Sequence, residues 1–129
     1  MTNTNYKTIA SKIKFEGRAF INGKYVDAID GEKFETINPA TGETLCSVAK
    51  CNSKDVDLAV KFSRKAFNSG VWSRTSPEFR KDVLLKFAEL LRKHGVENSV
   101  LECIDTGKLI GDCINEVAND APMHFQWYG

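Results

Sequence analysis

Apolar and polar positions alternate unevenly through the first fifty residues of the chain and then switch to a helical repeat. Phe20, Ile21, Tyr25, Val26, Phe34 and Ile37 gather around two dipeptides, Asn22-Gly23 and Asp30-Gly31. Both are two-residue turn signals between strand-forming residues, and they predict β-hairpins. Pro39-Ala40-Thr41-Gly42 marks a further turn. Its proline sets the first turn angle and its glycine accepts positive φ, with strands expected at residues 34–37 and 44–49. The alternation is too irregular to fix the register.

From Ser53 the period becomes helical, with Val56, Ala59, Val60, Ser63 and Phe67 on one stripe before Asn68, Ser69 and Gly70 end the run. The next helix opens on Ser76, a good N-cap, and Pro77, which suits the first helical position. Gly95 is expected to close it behind Lys93 and His94. Phe79, Val83, Leu84, Phe87, Leu90 and Leu91 form its apolar stripe. Val96, Val100, Leu101 and Ile104 predict a third helix ended by Gly107. Ile114, Val117, Ala121 and Phe125 predict a fourth, which Pro122 either begins anew or kinks. There is no internal repeat and no low-complexity linker. The last residues, Phe125, Gln126, Trp127 and Tyr128, sit in an aromatic helical pattern with no polar exit. Domain ends are usually polar and frayed, so the pattern predicts a chain that continues.

Composition adds little to this picture but excludes several functions. With 129 residues, 42% hydrophobic and 27% charged, the chain has the make-up of a soluble globular domain. A domain of this size buries about two-thirds of its unfolded surface, so length alone does not mark it as incomplete. Eighteen basic and seventeen acidic side chains leave a net charge of +1, with the signs intermixed. Lys61, Arg64 and Lys65 are soon answered by Glu78, Asp82 and Glu89, so no basic face is expected to bind nucleic acid. Residues 1–18 are polar, without the apolar core of a signal peptide, and no run approaches the roughly 20 residues of a membrane span. The expected location is the cytoplasm. Cys46, Cys51, Cys103 and Cys113 form no CxxC pair, and neither histidine stands at a zinc-finger spacing from them. They read as reduced, small core residues. A cysteine-based metal domain would require stoichiometric zinc in the purified chain, and Cys113 with His124 is the one nucleophile-and-base pair that can be imagined.

The motifs taken together carry a resemblance. Phe20-Ile21-Asn22-Gly23-Lys24-Tyr25-Val26 is followed by Phe34-Glu35-Thr36-Ile37-Asn38-Pro39-Ala40-Thr41-Gly42-Glu43. Then come Asp55-Val56-Asp57 with Ala59-Val60, then Ala66-Phe67, Gly70 and Trp72-Ser73, and then Leu101-Glu102 leading to Asp105-Thr106-Gly107-Lys108. Each is an ordinary turn, cap or core stripe by itself. In this order they resemble the N-terminal region of the aldehyde dehydrogenase superfamily, and the wording is most similar to γ-glutamyl-γ-aminobutyraldehyde and related aminoaldehyde dehydrogenases. One departure is Leu109, where many relatives have proline after Gly-Lys.

The resemblance implies an α/β fold: N-terminal hairpins followed by amphipathic helices, an incomplete part of a Rossmann-like coenzyme-binding domain. Residues 1–14 are expected to be a flexible N-terminus and residues 15–129 the partial coenzyme-domain segment. It also implies a parent enzyme that oxidises an aldehyde, an aminoaldehyde among the candidates, to a carboxylic acid with NAD or NADP. In that family a cysteine thiolate adds to the carbonyl, hydride passes to the nicotinamide, and water activated by a glutamate hydrolyses the thioester. The cysteine lies in a Gly-Gln-x context and the glutamate in Glu-Leu-Gly-Gly. None of the four cysteines has that context, and the chain contains neither a Gly-Gly pair nor a Gly-x-Gly turn. No catalytic or cofactor-binding residue is therefore assigned, and the 129-residue piece is expected to be inactive and to bind no coenzyme. The alternative is a stand-alone, non-catalytic interaction module derived from the same fold.

One site carries over. In relatives a monovalent cation is held by main-chain carbonyls at the turn before Asn-Pro and by the aspartate of Asp-x-Gly-Lys, which map onto Thr36, Ile37 and Asp105. Hard cations take oxygen ligands, so this is a reasonable partial shell. The competing reading is that Asp105 merely caps the turn at Thr106-Gly107. Relatives form dimers or tetramers, and by resemblance the strand that bridges subunits follows Gly129. The exposed stripes of the piece itself predict self-association or aggregation.

Overall fold

The computed structural model describes residues 4–129, and the chain divides into two compact units. One comprises residues 15–37 and 44–75, and the other comprises the residues up to Lys14, residues 38–43 and residues 76–129. Of the segment expected to be a flexible N-terminus, residues 1–3 lie outside the described residues, and α1 occupies Tyr6–Ala10. Among the described residues no helix is long and apolar enough to cross a membrane.

The first unit holds two antiparallel hairpins and a helix. β1 (Ala19–Ile21) pairs with β2 (Lys24–Val26), with Ile21 opposite Lys24. Asn22 and Gly23 have φ of 54° and 75°, the doubly positive turn that matches strand twist, so the first turn signal makes the hairpin expected of it. The second signal does not. At Asp30-Gly31 the Gly31 amide donates to Ala28 O and the chain turns, but β2 is not paired with the next strand. β3 (Lys33–Ile37) pairs instead with β4 (Thr44–Ala49) across the Pro39-containing turn, whose Asn38 amide donates to Glu43 O. The irregular alternation has its cause in a register shift between Thr36 and Ile37, which face Cys46 and Thr44 and leave Leu45 as the extra residue of a bulge.

α2 (Ser53–Ser69) is capped at both ends, by Asn52 and by Gly70 in the left-handed conformation. Asn52 Oδ1 accepts from the Lys54 amide at 2.8 Å, and Asp55 Oδ2 accepts from the Asn52 amide at 2.9 Å. The other Asp55 oxygen takes the Ile29 amide, also at 2.9 Å, so one buried carboxylate ties the helix start to a loop 26 residues earlier. Asp55→Ala strands both amides and is expected to cost about 3 kcal/mol in a denaturant melt, whereas Asp55→Asn, which keeps one acceptor, is expected to cost about half of that. Equal melting of the two variants and the parent would show that the carboxylate does not anchor the helix.

In the second unit, Ser76 caps and Pro77 opens α3 as the sequence indicates, but α3 runs from Pro77 to Thr106 without a break. Gly95, expected as its C-terminus, is buried at its middle, and the separate helix expected from Val96 is the second half of the same rod. The reason is packing. A Cβ on Gly95 would lie 2.8 Å from Ala118 Cβ and 2.9 Å from Ala118 Cα, so the glycine is there to let a second helix approach. Gly107, left-handed at φ 74°, is the true end, with its amide on Cys103 O.

The fourth helical pattern is α4 (Ile110–Cys113), a π-helical stretch (Ile114–Asp120) and α5 (Ala121–Tyr128) in succession. Pro122 lies in the first turn of α5, where it has no amide to give and its ring crowds the carbonyl four residues back. The wider turn accommodates it: the Ala121 amide reaches Glu116 O, five residues earlier. Pro122 thus begins a helix through a local widening. Where α3 meets these segments, Ser99, Cys113 and Pro122 are the largest fully buried side chains. Ser99 Oγ is 2.7 Å from Gly95 O and 3.1 Å from Cys113 O, both of which accept.

Candidate functional site

The three residues of the expected cation site lie in well-formed local structure. Thr36 and Ile37 end β3 opposite the bulge that Leu45 makes in β4. Asp105 stands exposed in the last turn of α3, within the second unit, whereas Thr36 and Ile37 belong to the first. In the turn after Asp105, Gly107 supplies the left-handed residue, and Thr106 Oγ1 donates to Glu102 O at 2.7 Å. Lys108, from the same motif, is ion-paired with Glu116, whose carboxylate raises its pKa above the usual lysine value. That pair links the residue before the Leu109 N-cap to the π-helical stretch. Leu109, the departure from the resemblance, has φ −60°, the value a proline would impose, so the backbone there suits either residue.

Cys113 is fully buried, and burial pushes its thiol pKa up. Its sulfur faces Lys108 O at 3.9 Å, and His124 lies on the exposed part of α5. A nucleophilic cysteine needs access and a lowered pKa, and Cys113 has the reverse of both. Cys46, Cys51 and Cys103 are free thiols, and among the described residues no group of three His, Cys, Asp or Glu side chains could hold a metal ion. The largest electrostatic perturbation is peripheral to all of these: the Arg18 guanidinium, hydrogen-bonded to Glu16 at 2.8 and 2.6 Å, holds that exposed carboxyl at about 2.

The most extensive feature is apolar. The residues buried as hydrophobic core are Ala28, Ala49, Ala88, Val100 and Cys113, all small, while Phe67, Phe79, Phe87, Leu90, Trp127 and Tyr128 remain exposed. Along α2 the half-buried Leu58 and Phe62 share a face with buried Asp55, whereas the stripe read from periodicity, Val56, Val60 and Phe67, points outward. At 3.6 residues per turn the two faces are ~140° apart. The sequence pattern identified the outward stripe and missed the inward one, because Leu58 and Phe62 are four apart and the period of either face alone fits a single amphipathic helix. A groove of about 590 Å³ runs along the outward face.

This arrangement, two hairpins, a doubly apolar helix and a long helix packed through a glycine, has known counterparts. Residues 25–129 match the model of the aldehyde dehydrogenase family. The chain belongs to that family. Aldehyde dehydrogenase 1 of Tanacetum cinerariifolium is 53% identical over 106 residues, covering 82% of this chain and 21% of the relative. Aminoacetaldehyde dehydrogenase of Pseudomonas aeruginosa is 43% identical over 128 residues, covering 99% of this chain and 26% of the relative. The crystal structure of γ-glutamyl-γ-aminobutyraldehyde dehydrogenase from Burkholderia cenocepacia superposes with a TM-score of 0.90 at 41% identity, over 95% of this chain and 25% of that one. Other structures of the same TM-score hold NAD+. The likeness to aminoaldehyde dehydrogenases therefore holds in both sequence and structure. The chain spans about a quarter of the length of the relatives it matches.

Proposed function

We propose that this chain is the N-terminal segment of an NAD(P)-dependent aldehyde dehydrogenase whose intact form is a homo-oligomer oxidising an aldehyde, with aminoaldehydes the first substrate class to try, and that the segment alone is not catalytic. The observation that carries the reading is the family match across residues 25–129 together with the state of the thiols. Of the four cysteines none has the family's nucleophile context, and Cys113 is buried with a raised pKa. The residues present do not fit a dinucleotide: no Gly-x-Gly turn is available to bring backbone amides against a pyrophosphate. No step is therefore assigned to the coenzyme here. Calorimetric titration of the purified chain with NAD+ and with NADP+ is expected to show no saturable binding, and a stoichiometric isotherm with either would overturn the reading.

Thr36, Ile37 and Asp105 remain the proposed cation ligands, the carbonyls of the first two and the carboxylate of the third. What supports this is the likeness of the turn before Asn38-Pro39 and of Asp105-Thr106-Gly107-Lys108 to the family's cation-binding motifs. Crystals grown with thallium(I) in place of potassium are expected to show one anomalous peak within bonding distance of these three residues. A structure with the carboxylate and the turn on opposite sides of the fold removes the site.

A second reading, a non-catalytic interaction module, is favoured by the completeness of the local structure. Among the described residues no buried side-chain nitrogen or oxygen lacks a hydrogen-bond partner, as expected of a piece that folds by itself. Downstream coding sequence separates the two: motifs for the nucleophile and coenzyme in frame support the enzyme segment, and their absence supports the module.

A further inference from the structure

We propose that Asn22 is a self-modification site: in the folded chain its side-chain amide is lost through a cyclic imide formed with the Gly23 main-chain nitrogen, leaving aspartate and isoaspartate at the tip of the first hairpin. Water is the only co-reactant, so the inference goes beyond the family reading and does not depend on it. Asn22 and Gly23 are the whole loop between Ile21 and Lys24, and both are exposed. Asn22 is the one residue other than glycine with positive φ among the described residues, at 54°, and Gly23 follows at 75°.

Those angles bear directly on ring closure. The Gly23 nitrogen must swing towards the side-chain carbonyl carbon of Asn22, which happens at ψ of about −120° with φ near 60°, the dihedrals of the first loop residue in a II′ turn. The turn as it stands has positive φ at both positions, the I′ form, and a rotation of the single peptide plane between the two residues converts one into the other. Both forms close a two-residue hairpin, so the β1–β2 pairing survives the rotation. Asn22 keeps its φ throughout, and only Gly23 crosses from positive to negative φ, which glycine does without steric cost. A Cβ at Gly23 would meet nothing within 4 Å, so no neighbouring group blocks the movement.

The chemistry then closes on these two residues. A base takes the Gly23 amide proton, the nitrogen bonds to the Asn22 side-chain carbonyl carbon, and that carbon releases its own nitrogen as ammonia. Water opens the ring at the side-chain carbonyl to give aspartate, or at the main-chain carbonyl to give isoaspartate, whose main chain carries an additional carbon. The other asparagines among the described residues lack these conditions. Asn38 precedes Pro39, which has no N–H to lose. Asn5 and Asn52 are N-caps whose side-chain oxygens accept from the Thr8 and Lys54 amides. Asn68, Asn98, Asn115 and Asn119 lie within α2, α3 and the π-helical stretch, where the helix fixes the main-chain dihedrals.

The test incubates the purified chain in warm, mildly alkaline buffer and follows the tryptic peptide Ala19–Lys24 by mass spectrometry against an unincubated sample, with isoaspartate scored by enzymatic methylation. Asn22 is expected to convert at least about five-fold faster than any helical asparagine, with both products present, and Gly23→Ala is expected to slow it by at least about five-fold, since a side chain opposes the rotation. Because Gly23→Ala can also disturb the hairpin, a second arm compares the parent chain in native buffer and in concentrated urea, and conversion is expected in both. Conversion confined to urea, a rate no greater than that of the helical asparagines, aspartate without isoaspartate, or an undiminished rate in Gly23→Ala would each overturn the proposal.

Discussion

Replacing Gly95 with leucine is expected to destabilise the helical unit severely, and even alanine is expected to weaken it. Elsewhere in a helix Gly→Ala stabilises by up to about 1 kcal/mol, because alanine has less backbone freedom to lose. At Gly95 the added carbon would meet Ala118 Cβ at 2.8 Å and Ala118 Cα at 2.9 Å. The second of these is backbone, so the π-helical stretch itself must move. Overpacking of this kind typically costs about 1–3 kcal/mol, which outweighs the propensity gain and leaves Gly95→Ala destabilised by about 1 kcal/mol or more. Leucine places a further three carbons in the same gap and is expected to cost more than about 3 kcal/mol, a large share of the 5–15 kcal/mol typical of a domain. Gly111 provides the control: it is helical, and a Cβ there meets nothing within 4 Å. Gly111→Ala is expected to raise the melting temperature slightly. If Gly95→Ala and Gly111→Ala shifted circular-dichroism melts in the same direction, close approach would not be the reason for Gly95.

The second large effect concerns association. Phe87 and Phe125 meet edge to face at 4.7 Å, yet both rings stay exposed, and Trp127 and Tyr128 beyond them are 82% and 78% exposed. With Phe79, Val83 and Leu90 also uncovered on α3, the helical unit presents far more large apolar side chains than it buries. Solitary exposed apolar residues are normal on any protein, but a run of this kind is a liability in water. Sedimentation velocity of the purified chain is therefore expected to show concentration-dependent species. Trp127→Lys/Tyr128→Lys is expected to shift the distribution towards monomer. A single monomeric species for the parent chain at all accessible concentrations would contradict this and favour the interaction module.

Much of this could be read in advance, for identifiable reasons. Asn22-Gly23, Gly70, Ser76-Pro77 and Gly107 act through local backbone preferences, and each does in the structure what its residue type dictates. Failures arose where tertiary contact overrode a local signal. Gly95 has the look of a C-cap, with Lys93 and His94 before it, but its lack of a side chain serves Ala118, a neighbour 23 residues on. Asp30-Gly31 turns the chain as a hairpin dipeptide would, but the strand after it pairs forwards with β4. The π-helical stretch was foreshadowed only by Pro122, which signals disruption without saying of what kind. Asp55, the buried carboxylate holding two amides, stands in the sequence only as part of Asp55-Val56-Asp57, with nothing to mark it as buried. Of the site residues, Thr36, Ile37 and Asp105 came from resemblance, and the outward groove of α2 came from periodicity, which showed the stripe without showing that it lies uncovered.

The most direct measurement is dehydrogenase turnover by purified residues 1–129, followed as NADH or NADPH formation with a panel of aldehydes that includes aminoaldehydes. With none of the four cysteines in the family's nucleophile context and no residue assigned to the coenzyme, the account predicts no reduction above the protein-free control. Reproducible aldehyde-dependent reduction of NAD+ or NADP+ that tracks the pure chain would contradict it.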